Sequence, residues 1–218
     1  MSIQLTIPSS LEITTEAYFN DMPIQSRHGP LVVNYLESSE KVLRRALQCH
    51  PRTLAVRVDL RFPPNAKKLD AAVISRFIAS LRAQVVADLN AKRREGKRVH
   101  NCTLRFIWVR EQDTSETPHY HVLLLFNADT YNCLGNFQAE QGNLAYRIRA
   151  AWASALGMRL EDIAGAVYFP ANSTYLLNSS SPSYVDDFNN LFYRVSYFAK
   201  VATKSYGSQA RHFGGSRV

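Results

Sequence analysis

The sequence predicts an α+β fold: one domain built on an antiparallel sheet of about five strands, with helices covering it. Three observations lead there. Thr53 to Phe62 alternates with the period of two that a strand requires, Val56, Val58, Leu60 and Phe62 on one face and Arg57, Asp59 and Arg61 on the other. Two further strand-like runs, Cys102 to Glu111 and Thr117 to Asn127, are separated only by a short polar loop, the signature of a hairpin. Between and around these runs lie segments with helical periodicity, long enough to cover a sheet.

Taken in order, the first 33 residues are rich in Pro, Ser and Thr and read as an arm with little regular structure. From Asn34 to His50, Leu36, Val42, Leu43, Ala46 and Leu47 recur at helical spacing, and Pro51 ends the run. The strand 53–62 follows. Pro63-Pro64-Asn65 turns the chain into a long helix from Leu69 to Asn90, with Val73, Ile74, Phe77, Leu81, Val85 and Leu89 on its apolar side. In the hairpin, Leu104, Phe106 and Trp108 oppose Arg105, Ile107, Val109 and Glu111. Beyond His121 both faces of the second hairpin strand are apolar, which predicts a central strand covered on both sides. Glu140 to Leu156 is a helix stopped by Gly157. Ala164 to Asn178 holds one or two short strands around Pro170, and a last helix runs from about Tyr184 to Tyr206 before an extended tail. The organisation expected is residues 1–50 as an arm and helix packing on a core formed by residues 51–218.

Composition narrows the function classes. The chain has 218 residues, 46% hydrophobic and 20% charged, ordinary for one well-buried globular domain. Its formal net charge of +8 favours a polyanionic partner, nucleic acid before anionic membrane. Cys49, Cys102 and Cys133 have no CxxC spacing, so neither a disulfide framework nor a zinc knuckle is indicated. With no signal-like N-terminus and no apolar run of spanning length, the expected place is the cytosol and no membrane partner is expected.

The chemistry concentrates in two stretches. His119 and His121 are two apart on a strand, so both imidazoles leave the same face while Tyr120 points to the other. Two neutral nitrogens on one face can converge on a divalent cation, although two half-buried polar residues at a strand end would look the same. Glu111 ends the preceding hairpin strand and is the favoured third ligand over Gln112, Asp113 and Glu116, with Asp59 the alternative from across the sheet. The last helix carries Tyr193, Tyr197, Lys200 and Lys204 on one stripe at one hundred degrees per residue, opposite Leu191, Val195, Phe198 and Ala202. A phenol, with an unperturbed pKa near ~10, needs help to act as a nucleophile; neighbouring ammonium groups and a cation polarising a phosphate would supply it. Oxygen plus imidazole ligands with open positions suit Mg²⁺ or Mn²⁺. The basic run Lys92, Arg93, Arg94, Lys97 and Arg98, with Arg57 and Arg61 of the first strand and Lys204, supplies candidate phosphate contacts, the alternative for the run being a solvated helix end.

His119-Tyr120-His121 followed by aliphatics, then Tyr197-Phe198-Ala199-Lys200 much later, resembles the HUH endonucleases of rolling-circle replication. The histidine pair precedes the tyrosine, as in the replication initiators (Rep type). More narrowly, Ser196 to Lys204 and the tail Phe213-Gly214-Gly215-Ser216-Arg217 resemble the replication-initiator family of filamentous phages (inoviruses) and its prophage relatives. The resemblance covers roughly residues 50 to 218. It implies an HUH/Rep-like sheet of ferredoxin-like (RRM-like) topology, His119, His121 and a carboxylate as metal ligands, Tyr197 as nucleophile with Lys200 beside it, and Tyr193 as a companion tyrosine. It also implies nicking of one strand of single-stranded or hairpin origin DNA in a bacterial host cell, a 5′-phosphotyrosine intermediate, and strand rejoining. A host helicase and polymerase would be partners. The tyrosine in the middle of the triplet departs from the aliphatic that is commoner there. Two other readings stay open: a catalytically inactive DNA-binding regulator of the same fold, and a metal-dependent nucleotide phosphohydrolase.

Overall fold

The computed structural model describes residues 11–66, 70–112, 117–137, 142–202 and 211–217. Its sheet is built from β1 (Arg52–Arg61), β2 (Arg105–Glu111), β3 (His119–Asn127), β4 (Val167–Tyr168), β5 (Thr174–Asn178) and β6 (Phe213–Gly215). The helices are α1 (Val33–Cys49), α2 (Val73–Arg94), α3 (Leu144–Leu156) and α4 (Tyr184–Ser196). All pairings are antiparallel, in the order β6-β2-β3-β1-β4, with β5 also on the outer edge of β1. The core path β1-α2-β2-β3-α3-β4 thus has the ferredoxin-like order expected, and the C-terminal tail adds the sixth strand.

Two apolar layers sandwich the sheet. Even-numbered side chains of β1 and β3 (Val56, Val58, Leu60, Val122, Leu124) pack under α2 and α3 around the fully buried Trp152 and Phe77. Odd-numbered ones (Ala55, Leu123, Leu125, with Ile107 and Val109 of β2) pack under α1 and α4. Each valine, leucine or isoleucine among them taken fully out of water contributes about 1.5–3 kcal/mol, so a sheet covered on both faces is favoured over one left half wet. Trp108 is close enough to β6 that a Cβ on Gly214 would lie 2.6 Å from its ring, which only a glycine avoids.

Four expectations are corrected. The arm is structured over its described part: Ile13–Thr14 pairs with Leu31–Val32, Tyr18–Phe19 with Met22–Pro23, and Met22, Ile24 and Leu31 are buried in the α1/α4 layer. Helix α2 continues past Asn90, so Lys92, Arg93 and Arg94 are its last turn. Arg57 and Asp59 do not form an open polar face, because β1 is buried along its length between Thr53 and Leu60. The last helix stops at Ser196, followed by a 3₁₀ turn, Tyr197–Ala199, and an extended Lys200 (φ −52°, ψ 130°). Ser196 Oγ donates back to the Tyr193 carbonyl (2.7 Å), which also accepts from Gln25 Nε2 (2.8 Å), so the bond a continuing helix would use is taken. Lys200 then bridges to Leu31, and the Val201 amide donates to the Pro30 carbonyl.

Candidate metal centre and its tyrosine

Strand register assembles the site. Across β2-β3-β1, Glu111 stands opposite His119 and His119 opposite Arg61; one pleat deeper, Val109, His121 and Asp59 form the next row. All six side chains share the odd face. One ligand atom each from Glu111, His119 and His121 lies within 4.8 Å of the others, the only such His/Cys/Asp/Glu trio among the described residues. The imidazole rings are edge to face with centroids 4.8 Å apart, which meets the expectation of a shared face.

The partners of His121 define its tautomer. Its Nδ1 is 2.7 Å from Asp59 Oδ1, a distance that requires a proton between them, so Nδ1 donates to the carboxylate. Arg57, whose NH2 nitrogen is 3.1 Å from the same Nδ1, then has no acceptor there and donates instead to Asp59 Oδ1 (3.3 Å). Nε2, 3.5 Å from Glu111 Oε2, faces the cluster: it donates to that carboxylate when the imidazole is protonated and turns a lone pair inward when it is neutral. Asp59 therefore stands outside the Glu111–His119–His121 trio and orients the second histidine. Burial alone would lower the His121 pKa, but the bonds to Asp59 and Glu111 outweigh it and raise the value. His119 is shifted down, by burial first and by the neighbouring His121 second, which favours the neutral, ligating form. Asp59 is held below the usual carboxylate range: burial opposes ionisation, and the His121 and Arg57 interactions overcome it.

Glu111 is only 2% exposed and Asp59 7%. Buried carboxylates are tolerated only when compensated. Two buried cations balance the two anions: Arg57, and Lys200, whose Nζ is 3.5 Å from Glu111 Oε2. With neutral imidazoles the cluster has no net charge, so a bound divalent ion would leave it positive and attractive to a phosphate. Two imidazole nitrogens and one carboxylate oxygen fit a divalent ion with positions open to substrate, and Mn²⁺ accepts such mixed ligands more readily than Mg²⁺.

Tyr197 stands beside this cluster. Lys200 Nζ donates to its hydroxyl at 2.6 Å, and Arg57 lies over its ring, 5.6 Å from the centroid. His121 is 5.9 Å from that ring and is stacked on Phe198 at 6.2 Å; His28 meets Tyr197 edge-on at 5.3 Å. The tyrosine–lysine pair survives the end of the helix because a 3₁₀ turn brings residues three apart into line.

Other sequence candidates lie elsewhere. Among the described residues Tyr193 has no ring contact or hydrogen bond to Glu111, His119, His121 or Lys200; its side chain lines a separate cavity. The stripe expected to carry both tyrosines to one cation ends with the helix. Lys204, Asp113 and Glu116 lie outside the described residues. Arg57 is buried structural support for the centre rather than a surface phosphate contact, while Arg61 is exposed opposite His119. The run Lys92 to Arg98 sits by Asn101 and Asn127, at the end of β3 away from His119, about 27 Å along the strand at ~3.4 Å per residue. Lys92 is paired with Asp88 and Lys97 with Glu95. Sequence reasoning placed Phe198 only on the apolar side of the last helix and gave His28 no role at the site. Nothing local marks His28, whereas two charges inside a strand with apolar neighbours on every side could have marked Arg57 and Asp59 as a buried pair.

Fold and site together define an α+β domain of ferredoxin-like order with a two-histidine, one-glutamate cluster and a lysine-held tyrosine at one end of its sheet. The chain belongs to the YagK/YfjJ C-terminal domain family, whose model matches residues 14–216. It is 38% identical over 206 residues to the uncharacterized protein YagK of Escherichia coli (strain K12), covering 89% of this chain and 97% of that one. To the uncharacterized protein YfjJ of the same organism it is 33% identical over 207 residues, covering 90% and 100%. No solved structure matches the chain. Among the described residues no helix is long and apolar enough to cross a membrane.

Proposed function

We propose that this chain is a metal-dependent DNA nickase and strand transferase of the HUH replication-initiator type, with Tyr197 as its nucleophile. The observation that carries the reading is the Tyr197 hydroxyl, held at 2.6 Å by Lys200 and set beside a two-histidine, one-glutamate cluster. A nucleotide phosphohydrolase needs an activated water rather than a half-buried, lysine-held phenol. An inactive regulator has no use for a buried glutamate compensated by a lysine.

Glu111, His119 and His121 would hold the divalent ion, which when bound polarises the scissile phosphodiester and neutralises charge developing on it. Asp59 keeps the His121 lone pair aimed inward. Lys200 Nζ stabilises the phenol oxygen as its proton is lost, and Arg57 and His28 restrain the ring. In the step, a bond forms between Tyr197 Oη and phosphorus, the P–O3′ bond breaks, and the leaving 3′-oxygen gains a proton. One ester replaces another, so no co-substrate is needed, and reversal rejoins the strand. The substrate is single-stranded or hairpin origin DNA, the setting rolling-circle replication, and unwinding falls to a separate helicase. The test is incubation with single-stranded origin DNA and Mn²⁺, followed by denaturing electrophoresis. A covalent protein–DNA adduct is expected from the wild type and none from Tyr197→Phe; undiminished adduct in that variant would falsify the assignment.

A further inference from the structure

The cavity that Tyr193 lines, about 550 Å³, lies between the turn at Gln25–Arg27, the approach to β5 and the outer side of α4. Its volume is in the range of pockets that enclose a small ligand. Its chemistry differs from that of the metal centre. Here the amides of Asn172 and Asn190 and the phenols of Tyr175 and Tyr193 make no side-chain hydrogen bond among the described residues. Gln25 spends its Nε2 on the Tyr193 carbonyl and keeps Oε1 uncommitted. Arg27 and Arg194 add two positive charges. The one acid, Asp187, already accepts from Ser183 Oγ at 2.7 Å.

From these features we infer that the cavity is a subsite for one unpaired nucleotide of a DNA single strand, next to the scissile phosphate. Every base has a flat π face, which aromatic side chains bind without regard to sequence. Every base also has an edge of mixed donors and acceptors, which carboxamides match because they offer both. Two arginines beside aromatic rings and amides suit the phosphate of a nucleotide better than a neutral sugar. Position points the same way: Tyr193 is one helical turn before Tyr197, about 6 Å along the axis, and Arg27 adjoins His28, whose ring touches Tyr197. Tyr193 thus acts as a wall for a base rather than as a second nucleophile.

The inference rests on the nickase reading for its placement, and its test separates the two. Binding of a single-stranded hexanucleotide and of the four deoxynucleoside 5′-monophosphates is measured by NMR shift perturbation and fluorescence titration, without metal. Shifts confined to Tyr175, Asn190, Tyr193 and their neighbours are expected. Asn190→Ala, at an exposed helical position, and Tyr175→Ala should each weaken hexanucleotide binding by about tenfold. Unchanged binding in both alanine variants, with the fold intact by circular dichroism, overturns the subsite whatever the nicking assay gives. Pocket-centred binding without any adduct on any DNA overturns the nickase and leaves the subsite standing. In a strand that is nicked, one abasic position beside the nick should slow adduct formation; no sensitive position within two nucleotides of it also sinks the subsite.

Discussion

Asp59→Asn tests whether the cluster is a metal centre by a route that needs no turnover. The substitution keeps shape and an acceptor for the Nδ1 proton of His121, now 2.7 Å from Asp59, but removes the charge that strengthens that bond and fixes the tautomer. Loss of such an orienting carboxylate typically weakens metal binding by about 10- to 100-fold. At Mn²⁺ a hundredfold above its dissociation constant, binding stabilises the wild type by about 2.7 kcal/mol; at the same concentration the variant retains about 1.4 to 0.4 kcal/mol. For a chain of this length 1 kcal/mol moves the midpoint by roughly 2–4 °C, so a wild-type rise of about 5–11 °C should shrink to roughly 1–6 °C. Differential scanning fluorimetry across a Mn²⁺ series reads this directly, each variant compared with its own metal-free midpoint. That comparison matters because Arg57 loses its buried anion and the metal-free variant will itself melt lower. Glu111→Gln, which removes a ligand, should abolish the rise. An Asp59→Asn rise equal to that of the wild type would show that the carboxylate does not orient a ligand, and no rise in the wild type would refute the metal centre.

Lys200→Gln removes the ammonium from Tyr197 Oη and should slow adduct formation by about 10²–10³, the usual effect of losing a donor to a developing oxyanion; single-turnover rates within a few-fold of wild type would assign Lys200 to structure alone. Mn²⁺ affinity should fall as the solution is acidified, by up to about tenfold per pH unit. Because the His121 pKa is raised, the fall should begin at a higher pH than an unperturbed histidine would set; calorimetric titration at several pH values checks this, and a flat profile excludes imidazole ligands. Neutralising Lys92, Arg93, Arg94, Lys97 and Arg98 should leave adduct formation on a short strand unchanged. On long DNA it should reduce the salt slope of binding by about one for each phosphate that these side chains neutralise. Since Lys92 and Lys97 are already paired with carboxylates, a slope reduced by the full set of these charges would contradict the structure.

Local pattern was enough to say which residues could meet. Period-two alternation put Arg57, Asp59 and Arg61 on one face of a strand and His119 with His121 on one face of another, because successive side chains on an extended chain must point opposite ways. The short loop after Glu111 made the hairpin, and with it the approach of glutamate to histidine, readable from spacing. The order of elements was readable too, since each carries its own periodicity. Long-range pairing added what no local pattern encodes. Asp59 faces His121 only because β1 pairs with β3 in a register that joins residues 62 apart in sequence. Arg57 is buried rather than available to DNA because α4 and its terminal turn close over the odd face of the sheet. The helical stripe from Tyr193 to Lys200 failed for the same reason: Gln25, Pro30 and Leu31, far away in the chain, take up the backbone groups around Tyr193 and Lys200. A helix runs on while its own carbonyls are free, and here a distant segment claims one first.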